Sequence, residues 1–219
     1  MAPVRKATYR GRNIIGYFPS LKMGRMINFE SLIERDLICL LDFESQVQSF
    51  VEQPFSIEYQ CQGKQHKYTP DFHVIFGGQN MVIECKLSQY VNTPENQLKF
   101  AAARSWCHER NWLFEVVTDQ LLATNWRVRN VKLLTRFARY PVRADFKEHV
   151  WTCLFAASAP VRIADVIARV NPQAPQAAVI PLLHMAFHHE VYAPLDTAQI
   201  TIETPIALRR PSIEEVLFP

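Results

Sequence analysis

The sequence is poor in glycine, and its 6 glycines build no phosphate-binding loop. It has no G-x-x-x-x-G-K-[ST], no G-x-G-x-x-G and no G-x-S-x-G, which excludes the P-loop, dinucleotide-binding and nucleophile-elbow chemistries those motifs carry. No apolar run approaches the roughly 18 residues of a membrane span. The basic start, Met1 to Arg12, has no apolar stretch behind it, so no secretory signal is expected. The 5 cysteines (Cys39, Cys61, Cys85, Cys107 and Cys153) are odd in number and form no C-x-x-C. A disulfide framework and a structural zinc site are therefore not expected, and free thiols in a reducing, cytoplasmic setting are.

Acidic residues are missing from two stretches. None precedes Glu30, where Arg5, Lys6, Arg10, Arg12, Lys22 and Arg25 accumulate, and none lies between Asp119 and Asp145. That second stretch holds Arg127, Arg129, Lys132, Arg136, Arg139 and Arg143, with Trp126, Phe137 and Tyr140 among them. Basic patches with interleaved aromatics suit a polyanion, and each also reads as a solvated helix face. With 48% hydrophobic and 21% charged residues, the 219-residue chain has the composition of a globular protein, long enough for one large domain or a mid-sized and a small one.

From Ser31 the pattern is helical, with Ile33, Leu37, Leu40 and Leu41 at helical spacing. Residues 47–55 read as extended. A strand over 57–61, a turn at Gln62-Gly63-Lys64, a strand from Tyr68 to Phe76, a turn at Gly77-Gly78-Gln79-Asn80 and a strand over 81–86 form an expected antiparallel meander. Thr93-Pro94-Glu95 starts a helix to about Arg110, and this crossover lets the strand at 112–117 run parallel to its predecessor. Residues 120–138 read as mostly helical. Pro141 marks an expected boundary between a domain over 1–140 and one over 141–219. In the second, three helical stretches precede a short hairpin pairing 191–193 with 200–202, the outline of a small winged-helix-like domain. Pro181 either kinks the last helix or marks its start.

The chemistry-bearing residues concentrate in the first part. Tyr68-Thr69-Pro70-Asp71 is followed by Glu84-Cys85-Lys86, on strands joined by the Gly77-Gly78 turn. Strand alternation puts Glu84 and Lys86 on one face, and pairing across the turn brings Asp71 beside them. Two carboxylates can hold a hard cation such as Mg²⁺ through oxygen, with the Cys85 carbonyl as a further ligand. A neighbouring lysine can steady a hydroxide or neutralise developing phosphate charge. The same pair also reads as a surface ion pair, although Glu84 interrupts an apolar run, Met81-Val82-Ile83, in an expected central strand. Glu34 lies within the apolar stripe of its helix and is a third candidate ligand; Ser31-x-x-Glu34 is equally a capping box, and spacing leaves both roles open. His73 and Gln97 are candidates for supporting the ligands, and Lys99 for reaching the site or DNA. His184 and His188 stand at i, i+4, but with no acid in an H-E-x-x-H position they read as packing or surface residues.

Together, the helix bearing Glu34, Tyr68-Thr69-Pro70-Asp71-Phe72 and Ile83-Glu84-Cys85-Lys86 resemble the PD-(D/E)xK nuclease superfamily. The resemblance is closest to TnsA, the endonuclease subunit of two-subunit cut-and-paste transposases. Phe29-Glu30-Ser31-Leu32-Ile33-Glu34-Arg35-Asp36 is similar to its first catalytic helix, and Trp112-Leu113-Phe114-Glu115-Val116-Val117-Thr118 to the strand that ends its core. The resemblance implies an α/β, restriction-endonuclease-like mixed sheet flanked by helices, followed by a winged-helix-like domain. It implies Glu34, Asp71, Glu84 and Lys86 as catalytic residues, with Mg²⁺ (or Mn²⁺ in its place) on Glu34, Asp71, Glu84 and the Cys85 carbonyl. It also implies double-stranded DNA at transposon ends as substrate, for which the charge pattern offers Arg127, Arg129, Lys132, Arg136 and Arg139 as candidate contacts. A TnsB-like DDE transposase would join the 3′ ends while this subunit cuts the other strand near each 5′ end. A TnsC-like AAA+ regulator would contact the C-terminal region, in a bacterial cytoplasm at the nucleoid. A stand-alone restriction or repair nuclease, and a non-catalytic adaptor of the same fold, are the alternatives.

Overall fold

The computed structural model describes residues 14–61 and 63–209. The basic arm at Met1–Arg12 lies outside the described residues. Two compact units divide the chain, 1–128 and 129–219, and Pro141 falls inside the second.

The first unit opens with an unanticipated antiparallel hairpin, β1 (Gly16–Pro19) and β2 (Met26–Phe29). Its loop is tied down by buried polar groups. Asp42 accepts hydrogen bonds from the Ser20 hydroxyl and from the Leu21 and Lys22 backbone N–H groups, and Arg25 forks onto the buried Glu52 at 2.8 and 2.6 Å. Helix α1 (Leu32–Phe43) starts on the Ser31 cap and buries Ile33, Leu37, Ile38 and Leu41.

Strand β3 (Val47–Glu52) follows, then β4 (Ile57–Cys61), β5 (Lys64–Tyr68), β6 (Phe72–Phe76) and β7 (Gln79–Lys86). A short helix α2 (Ser88–Val91) and the long α3 (Pro94–His108) lead to β8 (Leu113–Thr118), α4 (Asp119–Ala123) and α5 (Trp126–Thr135). The central sheet has the order β3-β6-β7-β8; β3, β6 and β7 are antiparallel, and β8 is parallel to β7 across the α3 crossover. This is a mixed sheet flanked by helices, as the sequence implies. Phe72, Val74, Val82 and Ile83 are buried along its middle. Gly77 and Gly78 hold φ of +54° and +80° between the paired Phe76 and Gln79, the left-handed geometry that a two-residue hairpin turn demands.

Two expectations need correction. The strand expected from Tyr68 to Phe76 is two strands, because Pro70 offers no N–H to a ladder and the chain breaks at Thr69-Pro70-Asp71. The first of them, β5, pairs only with β4 in a separate two-stranded ribbon, so β3 rather than β4 flanks β6.

The second unit contains α6 (Ala144–Phe155), β9 (Val161–Arg162), α7 (Ile163–Val170), α8 (Val179–Phe187), β10 (Val191–Tyr192) and β11 (Pro205–Leu208). Pro181 sits in the first turn of α8, where its missing N–H costs nothing. The expected hairpin is corrected: β10 pairs with β11, which also pairs with β9, and 200–202 is not a strand. Buried Asn130 explains this. Its amide donates to the Leu195 and Ala198 carbonyls at 2.8 and 2.7 Å, and its oxygen accepts from Ile200 N–H at 2.9 Å, so that stretch is held as a loop. Among the described residues no helix is long and apolar enough to cross a membrane.

Candidate active site

The β6–β7 register pairs Phe72 with Ile83; continued by one residue, it sets Asp71 opposite Glu84. Asp71 occupies the point where the chain, broken at Pro70, enters the sheet. Its Oδ2 accepts a 2.7 Å hydrogen bond from Cys85 N–H, and its own carbonyl accepts from Gln53 N–H at 2.8 Å. A strand residue directs its N–H and C=O to the same side, so the Cys85 carbonyl also faces the Asp71 edge of β7. Lys86, two residues beyond Glu84 on the same face, places Nζ 3.2 Å from Glu84 Oε1.

The electrostatics are those of crowded, dehydrated acids. Burial pushes Asp71 well above the usual carboxylate range, and repulsion from Glu84 and Glu34 adds to this, against the Cys85 N–H bond. Burial likewise raises Glu84, partly offset by Lys86 and Lys99, and raises Glu34, partly offset by the Glu30 and Ser31 hydrogen bonds. Burial works against the Lys86 charge, but Glu84 and Asp71 outweigh it and hold Lys86 above its ordinary value.

Glu84 is 5% exposed, and its Oε2 has no hydrogen-bond partner among the described residues. A buried carboxylate oxygen without a partner is costly unless a cation or donor meets it. Among the described residues no three His, Cys, Asp or Glu side chains stand close enough to cage a metal by themselves. Two carboxylates and a backbone carbonyl nevertheless fit Mg²⁺, which binds through one or two carboxylates and keeps several waters.

Glu34 makes the capping box. Its N–H donates to Ser31 Oγ at 3.1 Å, while Oε1 accepts from the Ser31 hydroxyl and Oε2 from Glu30 N–H, both at 2.8 Å. These bonds fix the carboxylate at the start of α1, within electrostatic reach of Asp71 and Lys86. Each oxygen retains a second lone pair.

His73 and Gln97 each bond a partner outside the acids. The His73 ring bonds Asn80 Oδ1 at 2.8 Å and stacks on Trp112 at 4.6 Å, and Gln97 donates to the Val91 carbonyl at 2.8 Å, closing the turn between α2 and α3. Lys99 does reach the site electrostatically through Glu84.

The basic residues separate as well. Arg127 is paired: its guanidinium forks onto Glu44, with Nη2 2.9 Å from Oε2, and lies over the Phe43 ring. Arg129, Lys132 and Arg136, within the second unit, line one open hollow with Asn130, Leu133 and Gln199, and Arg139 is exposed. His184 and His188 bond the Phe137 and Ala138 carbonyls at 3.1 and 2.8 Å, a packing role rather than a metal site.

Two residues escaped the sequence reading. Gln53 has a left-handed backbone, φ +43°, and a buried Oε1 without a partner; only its place before Pro54 hints at a special conformation. Tyr68 heads the Asp71 motif, yet in the sequence it reads as an ordinary strand aromatic; its hydroxyl is buried and unpartnered.

Residues 44–119 match the family model described as "TnsA-like endonuclease N terminal", a span that contains Asp71, Glu84 and Lys86 and begins after Glu34. No curated protein matches the chain.

Proposed function

We propose that this chain, whose residues 44–119 match the TnsA-like endonuclease N-terminal family model, is the Mg²⁺-dependent subunit of a heteromeric transposase that hydrolyses the non-transferred strand near each 5′ end of the element. The observation that carries the reading is that Asp71, which accepts from Cys85 N–H, stands beside the Glu84–Lys86 ion pair of β7 within the matched segment.

Asp71, Glu84 and the Cys85 carbonyl would hold the cation, with the capped Glu34 carboxylate adding its negative charge from α1; Mn²⁺ would substitute. When bound, the cation supplies Lewis-acid charge to the scissile phosphate. Glu84 and Asp71 favour the charged form of Lys86, which suits it to serve as a hydrogen-bond donor and counter-charge. Its ammonium steadies the attacking oxygen and the charge that gathers on the phosphate in the transition state. Arg129, Lys132, Arg136 and Arg139 would grip the DNA backbone without reading sequence. The partners in this reading are a TnsB-like DDE transposase, which joins the 3′ ends, and a TnsC-like AAA+ regulator at the C-terminal region.

Lys86→Ala separates this chemistry from simple cation holding. Cleavage by the assembled transposase should fall roughly 10²–10³-fold, the usual cost of losing one transition-state donor, while Mn²⁺ still binds. Chelation with EDTA should stop 5′-strand cleavage altogether. Cleavage indifferent to EDTA would remove the reading.

A further inference from the structure

Tyr68 ends β5 and is 7% exposed, packed with Ile57 and Ala103 and against Phe114 and Trp106. Phe114 is the register partner of Val82, and Val82 shares its face of β7 with Glu84 and Lys86. Tyr68 therefore packs on the face of the sheet that carries the acids. Two of the buried polar atoms without partners are the Tyr68 hydroxyl and Glu84 Oε2, the first able to donate and the second only to accept when ionised. Phenylalanine would fill the same apolar cluster without burying an unsatisfied hydroxyl, so packing gives no reason for the oxygen.

We propose that Tyr68 is a positioning residue whose hydroxyl donates to Glu84 Oε2 when that carboxylate holds a divalent cation, fixing the carboxylate's orientation. The inference rests on the metal-dependent nuclease reading above and adds a residue to it. The phenol suits the task. Burial, and then the nearby charges of Glu84 and Asp71, push its pKa up, so it keeps its proton throughout the neutral range. Hydrogen bonds from outside the ligand set commonly tune metal affinity by about 10–100-fold.

The test is titration calorimetry with Mn²⁺ on the full chain, comparing the wild type with Tyr68→Phe and Asp71→Ala, alongside thermal melts of each metal-free protein. Tyr68→Phe should bind Mn²⁺ about 10–100-fold more weakly, with a metal-free Tm equal to or above that of the wild type. Its Mg²⁺-dependent cleavage should fall and be recovered in part by added Mg²⁺. If Tyr68→Phe binds Mn²⁺ as the wild type does while Asp71→Ala loses binding, Tyr68 only packs and the proposal fails, leaving the nuclease reading intact. If the wild type binds no Mn²⁺, the nuclease reading fails and the proposal with it.

Discussion

Asp71 is the residue on which burial and charge conflict most directly. In the unfolded chain it ionises near the ordinary carboxylate value; in the folded, metal-free protein burial first, then Glu84 and Glu34, hold it higher. Folding therefore takes up a proton. The stability linked to that proton is fully present below the unfolded value and is lost as pH rises through the folded one. Asp71→Asn should accordingly raise the metal-free Tm at pH 8, by about 2–4 °C per kcal/mol recovered, and the gain should shrink toward pH 4. Thermal melts of both proteins across pH check this. The difference between them isolates Asp71 from Asp145 and Asp165, which Arg143 and Arg162 hold low and which act with the opposite sign. The adjacency of Asp71 and Glu84 was legible in the sequence, because strand alternation and a short glycine turn fix it. The capping role of Glu34 was legible only as one of two choices, since Ser31-x-x-Glu34 encodes a cap whatever else the carboxylate meets. Gln53 and Tyr68 were not legible, because a left-handed backbone before a proline and an unpartnered hydroxyl are products of packing.

At the scale of elements, the turn between β6 and β7 sets the site. A slip of one residue would send Glu84 and Lys86 to the opposite face. Gly77 and Gly78 both have positive φ, and a Cβ at either would meet nothing within 4 Å, so the penalty for a side chain is conformational alone. Gly78→Ala should destabilise the protein by about 1–2 kcal/mol, read as a lower urea midpoint at unchanged m. The same logic run backwards applies to Gln53, whose φ of +43° precedes a proline. Gln53→Gly should stabilise the metal-free protein by about 1 kcal/mol. Strand and helix positions were legible wherever the period was clear: α1, α3, β7 and β8 follow from apolar spacing, the Thr93-Pro94 start and the Gly77-Gly78 turn. The partner of β6 was not. The sequence reads 57–61 as its neighbour, but β3 takes that place because Pro70 separates β5 from β6 and leaves the β4–β5 ribbon apart. The β1–β2 hairpin was invisible because its hold depends on Asp42 and Glu52, distant in the chain.

At the scale of the whole molecule, the basic surface answers to salt. If Arg129, Lys132 and Arg136 meet phosphates, each replacement by alanine should reduce the slope of log affinity against log salt by about 0.9 for duplex DNA. Arg127→Ala should leave that slope unchanged and instead lose the Glu44 pairing within the first unit. Fluorescence anisotropy with labelled transposon-end duplexes over a salt series distinguishes the two. The central claim is that Asp71, Glu84 and Lys86 form the site that cuts the non-transferred strand. It is tested most directly by assembling the complete transposase with Asp71→Ala, in Mg²⁺, on transposon-end DNA labelled on both strands. The account predicts that the strand at the 5′ end stays whole while the 3′-end strand is still processed and the variant melts as a folded protein. Cutting of the 5′-end strand at the wild-type rate by that variant would contradict it.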